Sequence, residues 1–189
     1  MKILCFGDSN TYGYDPRSWF GDSYPACWVD LLAEKLGCTV VNAGENGRTI
    51  PTSANQLERL LERHSADFLI IMLGTNDLLQ GNAPVAVAER MARFLEQICF
   101  EKSRILLIAP PPMKLGEWIP SQALVDASLE LCQHGQSLAE NLGIRYADTG
   151  DWGIPMAFDG VHFTEEGHRI FAERLYCYFN MENNHGQCE

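Results

Sequence analysis

The chain lacks any long hydrophobic run. No stretch of about 18 apolar residues, the length that a membrane-spanning helix needs, occurs in its 189 residues. The apolar run after Lys2 is too short for the core of a signal peptide, and no small-residue cleavage site follows it. We therefore expect a protein that is neither inserted into a membrane nor exported.

Basic residues are scarce. The sequence has 14 Lys and Arg against 25 Asp and Glu, which gives a formal net charge of −11. Binding to nucleic acid requires clustered cationic side chains, so this balance argues against a nucleic-acid partner and against an anionic membrane surface. The simplest role of the acidity is solubility.

Paired cysteine motifs are also missing. The seven cysteines are odd in number and scattered, and none forms a C-x-x-C motif. This pattern fits neither a disulfide framework nor a zinc site, and it favours a reducing cytoplasm. Asp159, His162 and His168 could suggest a metal site, but we expect helical geometry to turn His168 outward. We therefore predict no metal and no other cofactor.

What the sequence does have is a regular alternation of apolar strands and amphipathic helices. Strands that are apolar on both faces indicate a parallel sheet covered by helices on both sides. The predicted strands are 2–6, 39–43, 67–74, 104–109 and 144–148, and the predicted helices are 24–37, 52–64, 84–99, 121–142 and 164–179. We expect a single domain over residues 1–180, with a disordered polar tail over 181–189.

Polar segments follow the predicted strands, and in a parallel sheet these strand ends share one rim where ligands bind. They are "GDSN" with Ser9, "NAGENGRT" with Gly44, Gly47 and Arg48, "GTND" with Asn76 and Asp77, and "DGVHF" with Asp159 and His162. Taken alone, each segment could simply be a turn. Together they place a hydroxyl, an imidazole, a carboxylate and several N–H donors on one edge.

This set of groups meets the needs of acyl transfer. A serine such as Ser9 becomes a nucleophile when a base takes its proton, and His162 is the candidate base. Asp159 could accept a hydrogen bond from the other ring nitrogen, although a nearby carbonyl could do the same. The backbone N–H groups of Ser9 and Gly47 and the amide of Asn76 are candidate donors to the oxyanion.

Four blocks of the sequence, "FGDSNTYG", "NAGENGRT", "GTND" and "DGVHF", resemble those of the SGNH hydrolases, also called the GDSL family. The resemblance runs in order from Phe6 to Phe163, and it is strongest to the bacterial arylesterase and acyltransferase branch. It implies a flavodoxin-like, three-layer α/β/α sandwich with a five-stranded parallel sheet. The sequence lacks the G-x-S-x-G motif of the α/β-hydrolase fold.

The resemblance also implies roles for single residues. Ser9 matches the nucleophile, Asn76 the oxyanion amide, and Asp159 and His162 the acid and base. Gly47, rather than Gly44, matches the oxyanion glycine.

The family pattern has one visible departure. Asn10 stands where the motif's name has leucine, and we expect it to affect substrate preference rather than activity.

Two aromatic loops are candidates for the substrate wall. We predict substrate-binding roles for Tyr12, Trp19 and Phe20 after the nucleophile, for Trp118 after the fourth strand, and for Val161 beside His162. Long loops at a ligand-binding rim often carry function. The alternative is that these side chains pack on the body of the domain or on a second copy in a homo-oligomer.

The function that these observations predict is hydrolysis of a small-molecule carboxylic ester, with a short acyl group, through an acyl-enzyme on Ser9. A lysophospholipase, a thioesterase or an acyltransferase could use the same site. The alternative from another class is a non-catalytic flavodoxin-like binding module. The absence of a phosphate-cradling glycine run and of a basic cluster disfavours that module.

Overall fold

The computed structural model of the protein describes residues 1–18 and 20–185. It contains one five-stranded sheet whose strands are all parallel and follow the order β2-β1-β3-β4-β5. The strands are β1 (Lys2–Gly7), β2 (Thr39–Gly44), β3 (Phe68–Met72), β4 (Ile105–Ile108) and β5 (Arg145–Ala147). The predicted parallel sheet is confirmed.

Helices follow each strand. They are α1 (Ser9–Tyr12), α2 (Trp28–Leu36), α3 (Asn55–His64), α4 (Thr75–Leu79), α5 (Pro84–Glu96), α6 (Gln122–Leu142) and α7 (Glu165–His185), with a 3₁₀ turn at Lys102–Arg104. Helices α1 and α4 were not predicted from the sequence. These two short helices begin directly after the ends of β1 and β3, and they carry Ser9 and Asn76.

Two hydrophobic cores lie on opposite faces of the sheet. On one face, Leu4 and Phe6 of β1 pack with side chains from α3, α5 and α6. On the other face, Ile3 and Cys5 pack with side chains from α2 and α7. Successive strand residues point to opposite faces, so one apolar strand feeds both cores. This arrangement is the predicted three-layer α/β/α sandwich.

The helix boundaries differ most from the predictions at the start of α2 and at the end of α7. Pro25 precedes α2 instead of forming its first turn, because the carboxylate of Asp30 accepts the N–H of Cys27 (2.9 Å) and fixes the start of the helix there. Helix α7 runs to His185, five residues into the expected tail, and residues 186–189 lie outside the described part of the chain. Within residues 1–18 and 20–185, no helix is both long and apolar enough to span a membrane.

The register of the sheet brings the site together. Gly7 at the end of β1 is level with Gly44 of β2 on one side and with Met72 of β3 on the other. The direction in which the chain winds reverses at β1, and such a switch point leaves a crevice beyond the strand ends. The segments after β1, β2 and β3 therefore meet there.

Candidate active site

Ser9 lies at a sharp turn between β1 and α1. A Cβ atom on Gly7 would meet the Oγ1 atom of Thr11 at 2.0 Å and the carbonyl oxygen of Met72 at 2.9 Å, so only glycine fits this turn. The Asp8 side chain accepts the N–H of Asn10 (3.0 Å) and caps α1. Because Ser9 is the first residue of α1, its N–H has no partner within the helix and remains available as a donor.

Ser9, His162 and Asp159 form a hydrogen-bonded chain. The Nε2 atom of His162 is 3.0 Å from the Oγ of Ser9, and its Nδ1 atom is 2.7 Å from the Oδ2 of Asp159. The Oδ1 of Asp159 accepts the backbone N–H groups of Val161 (2.9 Å) and His162 (3.0 Å). All three chain members are buried.

The Asp159 carboxyl is held in its ionised form. Burial alone would raise its pKa, but the hydrogen bonds from the ring and backbone of His162 and from the backbone of Val161 outweigh this effect and lower the pKa. An ionised Asp159 accepts the Nδ1–H of His162. The Nε2 atom is then left free to accept the hydroxyl proton of Ser9.

Three residues with candidate N–H donors, Ser9, Gly47 and Asn76, line the same cavity of about 270 Å³ as His162. Gly47 has a φ of +74° in a turn closed by a hydrogen bond from the N–H of Arg48 to Glu45. The Nδ2 of Asn76 donates one hydrogen to the carbonyl of Arg48 (3.1 Å), which orients the amide.

Gly44 has a different place in the fold. A Cβ atom there would meet the backbone nitrogen of Tyr12 at 2.1 Å, so Gly44 lies against α1 and outside the cavity lining.

Arg48, for which the sequence predicts no role, anchors the Gly47 turn with a side chain that is only 8% exposed. The guanidinium of Arg48 donates to the carbonyl oxygens of Gly7 (2.7 Å) and Ala43, pairs with Glu45, and stacks on the ring of Phe6 at 4.1 Å. It therefore ties the end of β1 to the end of β2. In sequence the residue stands in the quoted "NAGENGRT" block, but nothing in that block indicates these partners.

Carboxylates beside the site residues hold the loops in place. Asp77 follows Asn76, accepts the N–H of Ile50 (3.0 Å) and pairs with Arg90. Burial raises the pKa of Asp8 to about 6, although the hydrogen bond from Asn10 and the charges of His162 and Arg48 act in the opposite direction.

Aromatic rings enclose His162. The ring of Tyr14 lies 4.6 Å from the imidazole and that of Trp118 lies 5.3 Å from it, measured between centroids. The sequence analysis named Trp118 and Val161 for the substrate wall, and both line the cavity. Tyr14, Asn46 and Leu79 also line it. Tyr14 could have been suspected from its position in the first aromatic loop.

Tyr12 and Phe20, which were also predicted for the substrate wall, are not among the described residues that line the cavity. An isolated antiparallel bridge joins Tyr14 to Ser23, at the two ends of the first aromatic loop. Phe20, between these two residues, is 92% exposed. Tyr12 ends α1 and is 37% exposed. The structure therefore gives neither side chain a place in the cavity lining, and Trp19 lies outside the described residues.

Asn10 is a further correction, because its side chain does not line the cavity. Its Nδ2 donates to the carbonyl of Val161 (3.0 Å), and its Oδ1 accepts the N–H of Phe163 (2.9 Å). The position of Asn10 outside the cavity lining therefore does not support the expected effect on substrate preference. The side chain instead joins the nucleophile segment to the His162 segment.

The expectation that His168 turns outward is wrong as well. His168 is fully buried in α7, and its Nδ1 accepts the N–H of Trp28 (3.3 Å). Its helical spacing from the core residues Phe171 and Leu175 could have indicated this. Within the described residues, no group of three or more His, Cys, Asp or Glu side chains could hold a metal ion.

A serine, a histidine and an aspartate linked in this order, beside N–H donors at the strand ends of a parallel sheet, form the arrangement of a serine hydrolase. The sequence matches the GDSL-like lipase/acylhydrolase family over residues 5–170. The chain belongs to this family, so the resemblance noted from the sequence blocks is confirmed.

Individual relatives agree with the family. An arylesterase of Vibrio mimicus is 27% identical over 179 residues, which cover 91% of this chain and 84% of that protein. The solved structure of the native M. smegmatis aryl esterase matches with a TM-score of 0.80 and 25% identity, over 95% of this chain and 98% of that one. Thioesterase 1/protease 1/lysophospholipase L1 of Escherichia coli K12 is 30% identical over 108 residues, about half the length of each protein.

Proposed function

We propose that the protein is a serine esterase that hydrolyses small carboxylic esters through an acyl-enzyme on Ser9. The observation that carries this proposal is the hydrogen-bonded chain from Ser9 through His162 to Asp159, which faces a cavity lined with N–H donors. The arylesterase relative supports the same reaction.

The geometry suits two successive acyl transfers. His162 Nε2 takes the proton of Ser9 as Oγ attacks the ester carbon, and Asp159 stabilises the imidazolium. The imidazolium then gives this proton to the leaving alcohol, and the acyl group remains on Oγ. His162 next takes a proton from water as the water oxygen attacks the acyl carbon, and it finally returns the proton to Ser9 while the acid leaves.

The negative oxygen formed in each step needs donors that are already in position. Ser9 and Gly47 offer backbone N–H groups, and Asn76 offers the second hydrogen of its Nδ2. The turn at Gly47 and the hydrogen bond from Asn76 to Arg48 fix these donors before the substrate arrives. One such donor typically contributes about 10²–10³ in kcat. This chemistry requires a nucleophile, a base and donors, and we propose that no cofactor takes part.

The cavity favours a neutral ester with a short acyl chain. Its volume is about 270 Å³, and no Lys, Arg, Asp or Glu is among the described residues that line it. A phosphate or another charged group on the substrate would therefore find no ionic partner there. The rings of Tyr14 and Trp118 stand beside His162, which protonates the leaving group, so we propose that they contact the alcohol portion of the ester.

We also propose a cytoplasmic location. The six cysteines among the described residues are all free thiols, and three of them are buried in the fold. Unpaired cysteines are the usual state in a reducing compartment.

The test is the release of p-nitrophenol from p-nitrophenyl acetate, butyrate and octanoate between pH 5 and 9. We expect the wild type to prefer the two short esters and its rate to rise with pH, because the reaction needs its general base in the unprotonated form. Ser9→Ala should lower the rate by at least about 10³-fold. Ser137→Ala, at an exposed serine of α6, is the matched control and should keep the wild-type rate.

Two outcomes would redirect the assignment. Equal rates for wild type and Ser9→Ala would rule out the serine esterase and favour the binding module. A clear preference for octanoate, or for an acyl thioester of the same length, would favour the lysophospholipase or thioesterase activity named for the E. coli relative.

A further inference from the structure

Asn10 follows the nucleophile directly and is buried, with 5% of its surface exposed. Its side chain makes two hydrogen bonds to one distant segment of main chain, donating to the carbonyl of Val161 (3.0 Å) and accepting the N–H of Phe163 (2.9 Å). These two residues flank His162 on either side. The side-chain amide of Asn10 therefore holds the backbone on both sides of His162.

Hydrogen bonds also hold the backbone of Asn10 itself, at the nucleophile end of this connection. Asn10 is the second residue of α1, its N–H donates to Asp8, and its carbonyl accepts the indole N–H of Trp28 (3.0 Å). Ser9 lies between Asp8 and Asn10 in this capped turn. The side-chain amide of Asn10 thus joins the turn that carries Ser9 to the segment that carries His162. The distance of 3.0 Å between Ser9 Oγ and His162 Nε2 depends on this connection.

We propose that Asn10 is a positioning residue that sets His162 against Ser9 for proton transfer. The proposal rests on the proposed function and deepens it. Asn10 does not line the cavity, so it acts through His162 rather than on the substrate. A leucine at this position would be of similar size, but it could neither donate to Val161 nor accept from Phe163.

The remaining contacts of the segment explain why the effect should reach the chemistry. Asp159 Oδ1 accepts the N–H groups of Val161 and His162, and the carbonyl of His162 accepts the N–H of Ala157 (2.7 Å). These bonds hold the segment to its own loop, whereas the Asn10 amide holds it to the nucleophile turn. Without that amide the loop stays folded, but its distance from Ser9 is less tightly fixed.

Two substitutions separate the parts of this role. Asn10→Leu removes both hydrogen bonds. Asn10→Asp keeps the shape and the bond from Phe163, but it cannot donate to Val161, and it adds a negative charge close to His162. Asn55→Leu, at an exposed asparagine of α3, is the matched control for the change of residue type.

The experiment measures kcat and KM for p-nitrophenyl butyrate from pH 5 to 9, together with the melting temperature of each variant. We expect Asn10→Leu to lower kcat by about 10²-fold, the cost of a misplacement near 1 Å, with little change in KM. Asn10→Asp should also lower kcat and shift the pH–rate profile to higher pH, because a nearby negative charge favours the imidazolium. Asn55→Leu should match the wild type.

Several results would overturn the proposal. Folded Asn10 variants with the wild-type kcat would leave the amide without a role in the reaction, and a raised KM at constant kcat would assign it to substrate binding. Failure of both variants to fold would assign it to the stability of the domain. If Ser9→Ala keeps its rate, the proposed function itself fails. If only the Asn10 variants behave as wild type, this inference alone fails.

Discussion

The carboxylate of Asp159 accepts three hydrogen bonds, two from backbone N–H groups and one from the ring of His162. Because these bonds hold its pKa below the ordinary value of 3.8, the carboxylate stays charged throughout the pH range of an esterase assay. A fixed negative charge at this position selects the His162 tautomer that can accept the proton of Ser9.

Replacing Asp159 with asparagine tests this role. The amide of Asp159→Asn can donate to Nδ1 and so favours the wrong tautomer of His162, and the loss in kcat should approach about 10⁴-fold. Any fall in the wild-type rate between pH 9 and pH 5 should come from a group other than Asp159, because this carboxyl titrates below that range. The measurement is kcat for p-nitrophenyl acetate at each pH.

Asp148→Asn is the matched control for this substitution. Asp148 is exposed and accepts the N–H of Gly150 two residues ahead, as Asp159 accepts that of Val161. The control should keep full activity. A loss of less than about 10-fold in Asp159→Asn would mean that Asp159 neither fixes the tautomer nor stabilises the imidazolium.

Single residues differ in how far the sequence reveals them. Ser9 and His162 stand in blocks whose residue types and order indicate the chemistry, and the structure brings them together. The parts played by Arg48 and Asn10 depend on hydrogen bonds from side chains to backbone carbonyls of other segments. Such partners are set by the paths of loops, and no local pattern of residues encodes them.

At the scale of elements, two loops are packed backbone to backbone beside the base. Segment 114–118, after β4, pairs with segment 158–160 through hydrogen bonds from Lys114 N–H to Gly160 (2.9 Å) and from Trp118 N–H to Asp159 (3.1 Å). A Cβ atom on Gly116 would lie 2.5 Å from the backbone nitrogen of Gly160 and 2.6 Å from the carbonyl carbon of Asp159. The first loop therefore supports the second one at close range.

Gly116→Ala should force these loops apart and move Asp159. We expect kcat to fall by up to about 10²-fold, since small displacements of reacting groups are costly. Overpacking of this kind should also cost roughly 1–3 kcal/mol of the free energy of unfolding. Steady-state kinetics and urea unfolding of the same variant measure the two effects.

Gly153→Ala serves as the comparison for that experiment. Gly153 has a φ of +67° but nothing within 4 Å of an added Cβ, so alanine there adds backbone strain without a clash. It should lose stability and keep its kcat. Equal kcat values for Gly116→Ala and the wild type would show that the two loops do not need this close approach.

The elements that the sequence predicted well are those with long apolar patterns. All five strands and five of the helices were recognised, because buried strands and amphipathic helices carry a hydrophobic signal over many residues. Helices α1 and α4 have four and five residues, too few to show such a period. The bridge between Tyr14 and Ser23 was missed for a related reason, since aromatic residues alone do not show how a loop folds.

The stability of the whole molecule should reflect two buried titratable groups with opposite effects. Burial lowers the pKa of His168 to about 4, although the nearby Asp30 acts in the opposite direction. Burial also raises the pKa of Asp8 to about 6. The fold thus holds both groups in their neutral forms. It disfavours the binding of a proton by His168 and the loss of a proton from Asp8.

The sign of each contribution follows from proton linkage. His168 binds fewer protons in the folded state than in the unfolded state, so its contribution to stability is lost as the pH falls from about 6.5 to 4. Asp8 binds more protons in the folded state, so its contribution is lost as the pH rises from about 3.8 to 6. Each contribution amounts to about 3 kcal/mol, and between pH 4 and 6, where both groups change, the two contributions largely cancel.

Removing one group should reveal how the other changes the free energy of unfolding with pH. Relative to the wild type, Asp8→Asn should gain up to about 3 kcal/mol in free energy of unfolding as the pH rises from 4 to 6, and His168→Gln should lose a similar amount over the same rise. Urea unfolding at half-unit pH steps measures both differences, with Asp126→Asn at an exposed position of α6 as the control. Difference curves that are flat from pH 4 to 6 would mean that neither group is held neutral by burial. Opposite slopes would establish that Asp8 in the nucleophile turn and His168 in the α2–α7 core make opposite contributions to the free energy of unfolding between pH 4 and 6.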